Sequence, residues 1–489
     1  MDTAPQLITV PARVLNPPPI YYRSMRSGEE RIVPQGGTWN MRQIKFSQFT
    51  KVNSWAWLYV DARNVRPVFR DESSLTDSLK RFVGKLNEMG VQTPPPVGGN
   101  RITLNGQNDE EIIDNAVVGL MQRRPQLIFT VLYDAVSGPY NIIKQVCDVR
   151  RGVLNVNVVA SKLAGANEQY FANVALKFNL KLGGLNQSLK PSELGILAEG
   201  KTMLVGIDVT HPSPGSAKTA PSVAGIVASV DSVLGQWPGD VRIQESREEM
   251  VSGLDGLLKD RIRTWARYNR DVYPENIIVY RDGVSEGQYD AVVDQELSLM
   301  KSACKATYPA TDIDKGLPRM ALLVVSKGHH TRFYPTDQRD ADRSNNPRNG
   351  TVVDRGVTEA RNWDFFLQAH TALKGTAKPA HYYTLWDEIF HYQEPKPPFR
   401  NAADVLENLT HNICYLFGRA TKPVSICPPA YYADLVCERA RCYLSSVFEP
   451  ASEATPSGSL VSGATGGSKL PDSSDVHIHE NVKDSMFYI

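Results

Sequence analysis

Residues 201–212 read KTMLVGIDVTHP, and one carboxylate, Asp208, stands in the middle of their apolar run. A short Val/Ile/Leu-rich run of this kind predicts a strand buried on both faces. A carboxylate there is costly unless it is paired, protonated or bound to a metal ion. The pattern continues downstream. SVAGIVASVD (222–231) reads as a neighbouring buried strand, and a polar, turn-rich stretch then leads to a helix over roughly 245–270. ENIIVYRDG (275–283) is a strand that closes on a second acid, Asp282, and 285–303 is a helix. MALLVVSKGHH (320–330) and HYYTLWDE (381–388) are strands, and helices follow at 409–418 and 430–444. Strands alternating with helices predict an α/β fold, with a mainly parallel sheet in the unit upstream of this one.

Upstream the alternation begins earlier. Residues 1–51 are an extended arm broken by Pro and Gly (NPPPIYYRSM, VPQGGTWNMR), where three consecutive prolines forbid helix. SWAWLYVDA (54–62) reads as a buried strand, 76–90 as an amphipathic helix ended by Gly90, and VQTPPPVGGNR (91–101) as a loop. QLIFTVLYD (126–134) and VLNVNVVAS (153–161) are strands, and 138–150 and 168–184 helices. A first α/β unit thus spans 52–183 and a second 184–489. Ser, Gly, Ala and Thr crowd residues 451–475, predicting a surface loop. The last stretch, VHIHENVKDSMFYI, is apolar enough to dock on the fold.

The 489 residues, 42% hydrophobic and 22% charged, suit two packed cores. No segment approaches the roughly 20 apolar residues of a membrane span, and the start is no secretory signal. Six cysteines with no C-x-x-C pair speak against zinc and for a reducing, cytoplasmic setting. The net charge of +1 excludes a globally basic nucleic-acid coat, though it leaves room for a local basic pocket.

Four acids are candidates for one constellation: Asp208, Asp282, Asp434 in AYYADLVCERAR, and Glu249 in ESREEMVSG, where an acidic cluster reads as a helix start. Singly, each is as readily a turn, cap or dipole residue. Together, several carboxylates a few Å apart cannot all ionise unaided, and hard oxygen ligands suit Mg²⁺ or Mn²⁺. Two such ions clamp the attacking and leaving oxygens in phosphodiester hydrolysis. A competing reading is a serine hydrolase, because Gly283-Val-Ser285-Glu-Gly287 fits G-x-S-x-G after a strand, with His381 or His391 and Asp387 as partners.

Several motifs then agree with one family. GIDVTHPSPG, YRDGVSEGQYD, VVSKGHHTRFYP, HYYTLWDE and CPPAYYADLVCERAR resemble the PIWI domain of a eukaryotic Argonaute. SGPYNIIKQVCD and ALKFNLKLGGLN resemble the MID domain, and VPARVLNPPPIYY and VPQGGTWNMRQIKF the linker before it. The details look most like the quelling-type Argonautes of filamentous fungi. The resemblance implies a Rossmann-like MID domain over 52–183 followed by an RNase H-like PIWI domain over 184–489, after a linker at 1–51. It implies a C-terminal lobe alone, since 1–51 cannot hold N-terminal and PAZ domains. It also implies a tetrad of Asp208, Glu249, Asp282 and Asp434. Asp208, Asp282 and Asp434 would ligate two Mg²⁺ or Mn²⁺ ions, and Glu245 and Glu248 compete with Glu249 in an ungapped match. The implied activity is cleavage of a target RNA paired to a 5′-phosphorylated small guide RNA, in RNA silencing, with further silencing-complex proteins as possible partners. A guide-binding lobe without catalysis is the alternative.

Lys177 and Lys181 are four apart, as are Tyr140 and Lys144, so each pair shares a helix face. On the residues alone the lysines are equally well read as solvated helix charges. The resemblance implies that these four hold the guide's 5′ phosphate and stack its first base. It adds Asn157, where the family commonly has Gln, Arg439 reaching back from PIWI, and the carboxylate of Ile489. Arg419, His329 and Arg332, with His330, would contact the guide backbone.

Overall fold

The computed structural model describes residues 6–26, 28–448 and 471–489. Trp55–Ala62 is buried along nearly its whole length because it is the interior strand of a parallel sheet. Gly98–Leu104 pairs on one side of it, Leu127–Leu132 on the other, and Leu154–Val159 beyond. One face carries Leu58, Val60 and Ile128 against the helix Asp109–Met121. The other carries Trp57, Phe129 and Val131 against Glu72–Glu88 and Glu168–Lys181. This is a doubly wound α/β unit.

The loop expected over 91–101 gives way to a strand at Gly98. The glycine pair hid it. A Cβ on Gly99 would stand 1.8 Å from the Trp57 ring, and one on Gly98 2.1 Å from Arg123. The strand keeps glycines there because neighbouring side chains fill the space. Asp109–Met121 was likewise outside the sequence reading.

The second sheet has nine strands. In spatial order they are Arg13–Val14, Thr351–Val353, Trp363–Gln368, Ala380–Asp387, Arg319–Ser326, Asn276–Asp282, Thr202–Thr210, Ser222–Ala228 and Gly239–Gln244. Only the pairs flanking Asn276–Asp282 are parallel. The mainly parallel sheet expected of the first unit is found there, and this second sheet is parallel only near its centre. Leu254–Tyr268 and Ser298–Thr307 cover one face of the sheet, and Pro428–Tyr443 crosses the other. This mixed α/β architecture, with an RNase H-like second sheet, is the predicted fold class.

The arm is more structured than expected. Ile20–Ser24, Glu29–Ile32 and Ile44–Lys45 form a small antiparallel sheet. Arg13–Val14 extends the edge of the nine-stranded sheet, and Arg13 is clasped by Asp354, Asp404 and Glu407. The expected loop over 451–475 lies mostly outside the described residues. The final residues dock, with Phe487, Tyr488 and Ile489 buried. Among the described residues no helix is long and apolar enough to cross a membrane.

Pro428–Tyr443 approaches the sheet closely because its inner face is small: Ala430, Ala433, Cys437 and Ala440 are fully buried. The sheet answers with glycines. A Cβ on Gly206 would lie 1.8 Å from the carbonyl oxygen of Pro429, and one on Gly225 2.7 Å from the Cys437 sulfur. Gly206→Ala is therefore expected to cost about 3 kcal/mol or more in urea unfolding, since backbone cannot swing aside. Gly119→Ala, in a helix with open space around it, should instead stabilise by roughly 0.5–1 kcal/mol.

Candidate functional site

The helix Pro428–Tyr443 joins two charged centres, with Asp434 at one and Arg439 at the other. Arg439 is buried. Its guanidinium donates to Asp148 Oδ2 (2.9 Å) and to the carbonyls of Phe487 (2.8 Å) and Tyr488 (2.9 Å). It thereby ties the first α/β unit, the second, and the chain's last residues together. Tyr443 also donates to Asp148 (2.9 Å).

Beside Arg439 lies a cavity of about 240 Å³. Tyr140, Lys144, Asn157, Lys177 and Ile489 line it with Arg439, and so does Arg419, which the resemblance had given to the guide backbone. Burial, with the Arg439 charge nearby, brings the Lys144 ammonium down to about 7. Burial followed by Arg419 and Arg439 brings Lys177 to about 8. Such crowding of cations is unfavourable without an anion. Both amide atoms of Asn157 are buried with no hydrogen-bond partner, so its short side chain still leaves a donor and an acceptor on the cavity wall. Lys181 is not part of this lining, although the charges of Lys144, Arg439 and Lys177 act on it. Its ammonium donates to the Phe487 carbonyl, which fastens the docked tail.

Asn155 was missed. Its amide donates to Thr130 Oγ1 (2.7 Å) and Ile128 O (3.1 Å), while its Oδ1 accepts from Lys144 (2.9 Å). That network aims the lysine. The alternation in VLNVNVV, which puts Asn155 and Asn157 on one strand face, was the available signal.

The second centre is set by strand register. Arg281 pairs with Ile207, so Asp282 and Asp208 occupy the next rung, and Asp208 faces Gly225 across the other neighbour. Asp434 approaches from the crossing helix. Burial raises Asp208 above the usual carboxylate range. Burial, then the charges of Asp208 and Asp434, raise Asp282 to about 7. Burial, Asp208 and Glu438 raise Asp434 to about 7. The three acids thus converge closely enough to oppose one another's ionisation.

Glu249 reaches the same place, but from a loop. Leu254–Tyr268 begins nine residues later than the helix expected from 245. Gln244 donates to the Glu248 and Met250 carbonyls, and the Arg247 amide donates to Ser222 Oγ (2.7 Å). These tertiary bonds outbid the local helix pattern. Arg281 Nη2 donates to Glu249 Oε1 (2.9 Å), and His211 Nε2 stands 2.7 Å from Oε2. Arg281 also pairs with the fully buried Glu296, which accepts from the Val251 amide (2.9 Å). A Cβ placed on Gly283 would lie 3.5 Å from Asp208 Oδ1 and 3.9 Å from Glu249 Oε1, which sets the glutamate beside the aspartates. Arg281, His211 and Glu296 were not foreseen. Their partners are distant in sequence.

Among the described residues, no group of three or more His, Cys, Asp or Glu side chains is arranged so that it could hold a metal ion. The donor chemistry nevertheless fits a hard divalent ion: all oxygen, with burial first and mutual repulsion second raising the acids above the usual carboxylate range. The serine-hydrolase arrangement does not form. Ser285 Oγ donates to Gln288, His381 pairs with Asp364 (2.7 Å), and His391 pairs with Asp387 (2.6 Å). His329 and Arg332 lie away from the cavity. His329 Nε2 meets the Pro379 carbonyl (2.9 Å), and Arg332 donates to Thr331 O (2.8 Å). Nearby Lys327 is pulled down by burial and Lys378, with Asp282 acting in the opposite sense, so a basic strip adjoins the carboxylates.

A family model described as the Piwi domain matches residues 127–445. The chain belongs to the Argonaute–Piwi family. Argonaute 5 of Arabidopsis thaliana is 34% identical over 511 residues, covering 100% of this chain and 48% of that protein. The crystal structure of Kluyveromyces polysporus Argonaute with a guide RNA matches 99% of this chain and 57% of its own, at 27% identity and a TM-score of 0.80. The MID-PIWI domains of N. crassa QDE-2 match over 91% of this chain and 100% of theirs, at 31% identity and a TM-score of 0.63. The chain spans about half the length of the curated Argonautes it matches. The predicted likeness to fungal Argonaute MID–PIWI lobes is thus borne out.

Proposed function

We propose that the cavity beside Arg439 binds the 5′-phosphorylated end of a guide RNA, and that the Asp208 centre cleaves the paired target RNA. The observation that carries the reading is the cavity: Lys144 and Lys177 crowd against Arg439 with no carboxylate paired to either lysine, next to an asparagine with unspent hydrogen-bonding atoms. A phosphate monoester supplies the missing charge and the acceptor oxygens. Tyr140 offers a ring for the first base. The guide RNA in the Kluyveromyces polysporus structure supports the same assignment. We assign residues 1–51 as linker, 52–183 as MID and 184–489 as PIWI.

In this reading Asp208, Asp282 and Asp434 hold divalent ions, Mg²⁺ or Mn²⁺, and Glu249 completes the set. Such ions, when bound, activate the attacking water and stabilise the leaving oxygen. The chain's own part is positioning: Arg281 and His211 keep Glu249 at the centre, and the basic strip at Lys327 and Lys378 faces the nucleic-acid backbone. His329, Arg332 and Arg419 remain candidates for guide-backbone contact. Target RNA and silencing-complex proteins are the proposed partners, in the cytoplasm. The test is direct. The chain loaded with a 5′-phosphorylated guide should cut a matched RNA in Mg²⁺, and a chelator should stop it. Tight guide binding without cutting would leave a guide-binding lobe and remove the nuclease.

The lysines fix a pH dependence. In the empty cavity Lys144 and Lys177 lose their protons through about 7 and 8, and a bound phosphate restores the charge. Phosphate binding therefore takes up protons, and affinity should fall as pH rises from about 7 to 9. Fluorescence anisotropy at fixed salt reads this, and a 5′-hydroxyl RNA should show no such fall.

A further inference from the structure

Besides the terminal residue Ile489, the cation-lined cavity carries one side-chain carboxylate. Glu438 is on its wall, between Asp434 and Arg439 on the same helix. Unlike Lys144 and Arg439, which are buried, Glu438 is exposed, so it stands at the cavity's mouth. Its carboxylate makes no ion pair or side-chain hydrogen bond with a described residue, although four cations line the same cavity. Its charge is nonetheless felt nearby: it raises both Asp434 and Cys442. A structural partner for it is therefore missing, while its field acts on whatever enters.

Resting on the 5′-phosphate reading above, we infer that Glu438 selects 5′-monophosphorylated RNA ends over 5′-polyphosphorylated ones. A monophosphate brings a charge of about −1.5 to −2, which the buried cations neutralise. A diphosphate or triphosphate brings further anionic groups. A cavity of about 240 Å³ whose Lys144 and Arg439 are buried keeps those surplus groups at the mouth, against the exposed Glu438 carboxylate. Like charges there oppose binding, and the opposition grows with each added phosphate.

The experiment measures binding of one RNA sequence with a 5′ hydroxyl, monophosphate or triphosphate to the 489-residue chain. Both wild type and Glu438→Gln are compared, at low and high salt. Glu438→Gln should raise triphosphate affinity about fivefold more than monophosphate affinity, as removal of one like charge near solvent would. Glu438→Lys should widen the gain. High salt should shrink it, because screening weakens exposed charges. A monophosphate-to-triphosphate ratio that stays within about twofold of wild type in both variants overturns the inference. Equal wild-type affinity for 5′ hydroxyl and 5′ monophosphate would instead overturn the phosphate reading beneath it.

Discussion

Asp208→Ala is expected to abolish the proposed guide-directed cleavage, by at least about a thousandfold, or ~4 kcal/mol of barrier. Asp208 is the carboxylate through which the others are coupled: its charge raises both Asp282 and Asp434. Removing it removes the proposed shared ligand position, and neither remaining aspartate can replace an oxygen donor that comes from Thr202–Thr210. The same substitution should not destabilise the empty chain. It deletes a buried acid held above its ordinary range by burial, so thermal unfolding in chelator should be unchanged or shifted upward. Loss of cleavage together with a large loss of stability would mean that Asp208 is structural. Guide affinity, read in parallel, should survive because Arg439 and the lysines are untouched.

Lys177→Met is expected to give the second large effect. Lys177 has no hydrogen bond or ion pair to a described residue, and burial beside Arg419 and Arg439 holds its ammonium near 8. Truncating the charge removes a repulsive cation from the empty cavity and a charged donor from the occupied one. Charged hydrogen bonds are worth about 1.5–3 kcal/mol, so preference for a 5′ phosphate over a 5′ hydroxyl should fall by roughly 10- to 100-fold. Stability of the empty chain should rise or hold. Arg439→Ala is a poorer probe of the same question. It leaves Asp148 with a buried charge and strips the donors from the Phe487 and Tyr488 carbonyls, so binding and folding fail together.

Both expectations rest on one property: each centre crowds like charges at an energetic cost that a bound ion or phosphate offsets. That property was half legible in the sequence. Asp208 and Asp282 stood out because an acid inside or at the end of an apolar run demands an explanation. The lysines did not stand out, because four-residue spacing on a helix is common among solvated charges. The fold of Glu249 was misread for a physical reason. ESREEM has the composition of a helix start, and only the bonds from Gln244, Ser222 and Arg281 hold it as a loop. Arg281 and Glu296 form a buried pair across a strand and a helix, which no local pattern marks. The strand at Gly98–Leu104 was hidden by glycines that only the Trp57 ring explains.

The most direct measurement is a competition for the 489-residue chain between two RNAs of identical sequence, one with a 5′ phosphate and one with a 5′ hydroxyl, at near-neutral pH. The phosphorylated RNA should win by at least about tenfold, one charged hydrogen bond's worth, and its advantage should shrink in Lys177→Met. Equal occupancy by the two RNAs would contradict the account, because the buried cations beside Arg439 would then be waiting for something other than a phosphate.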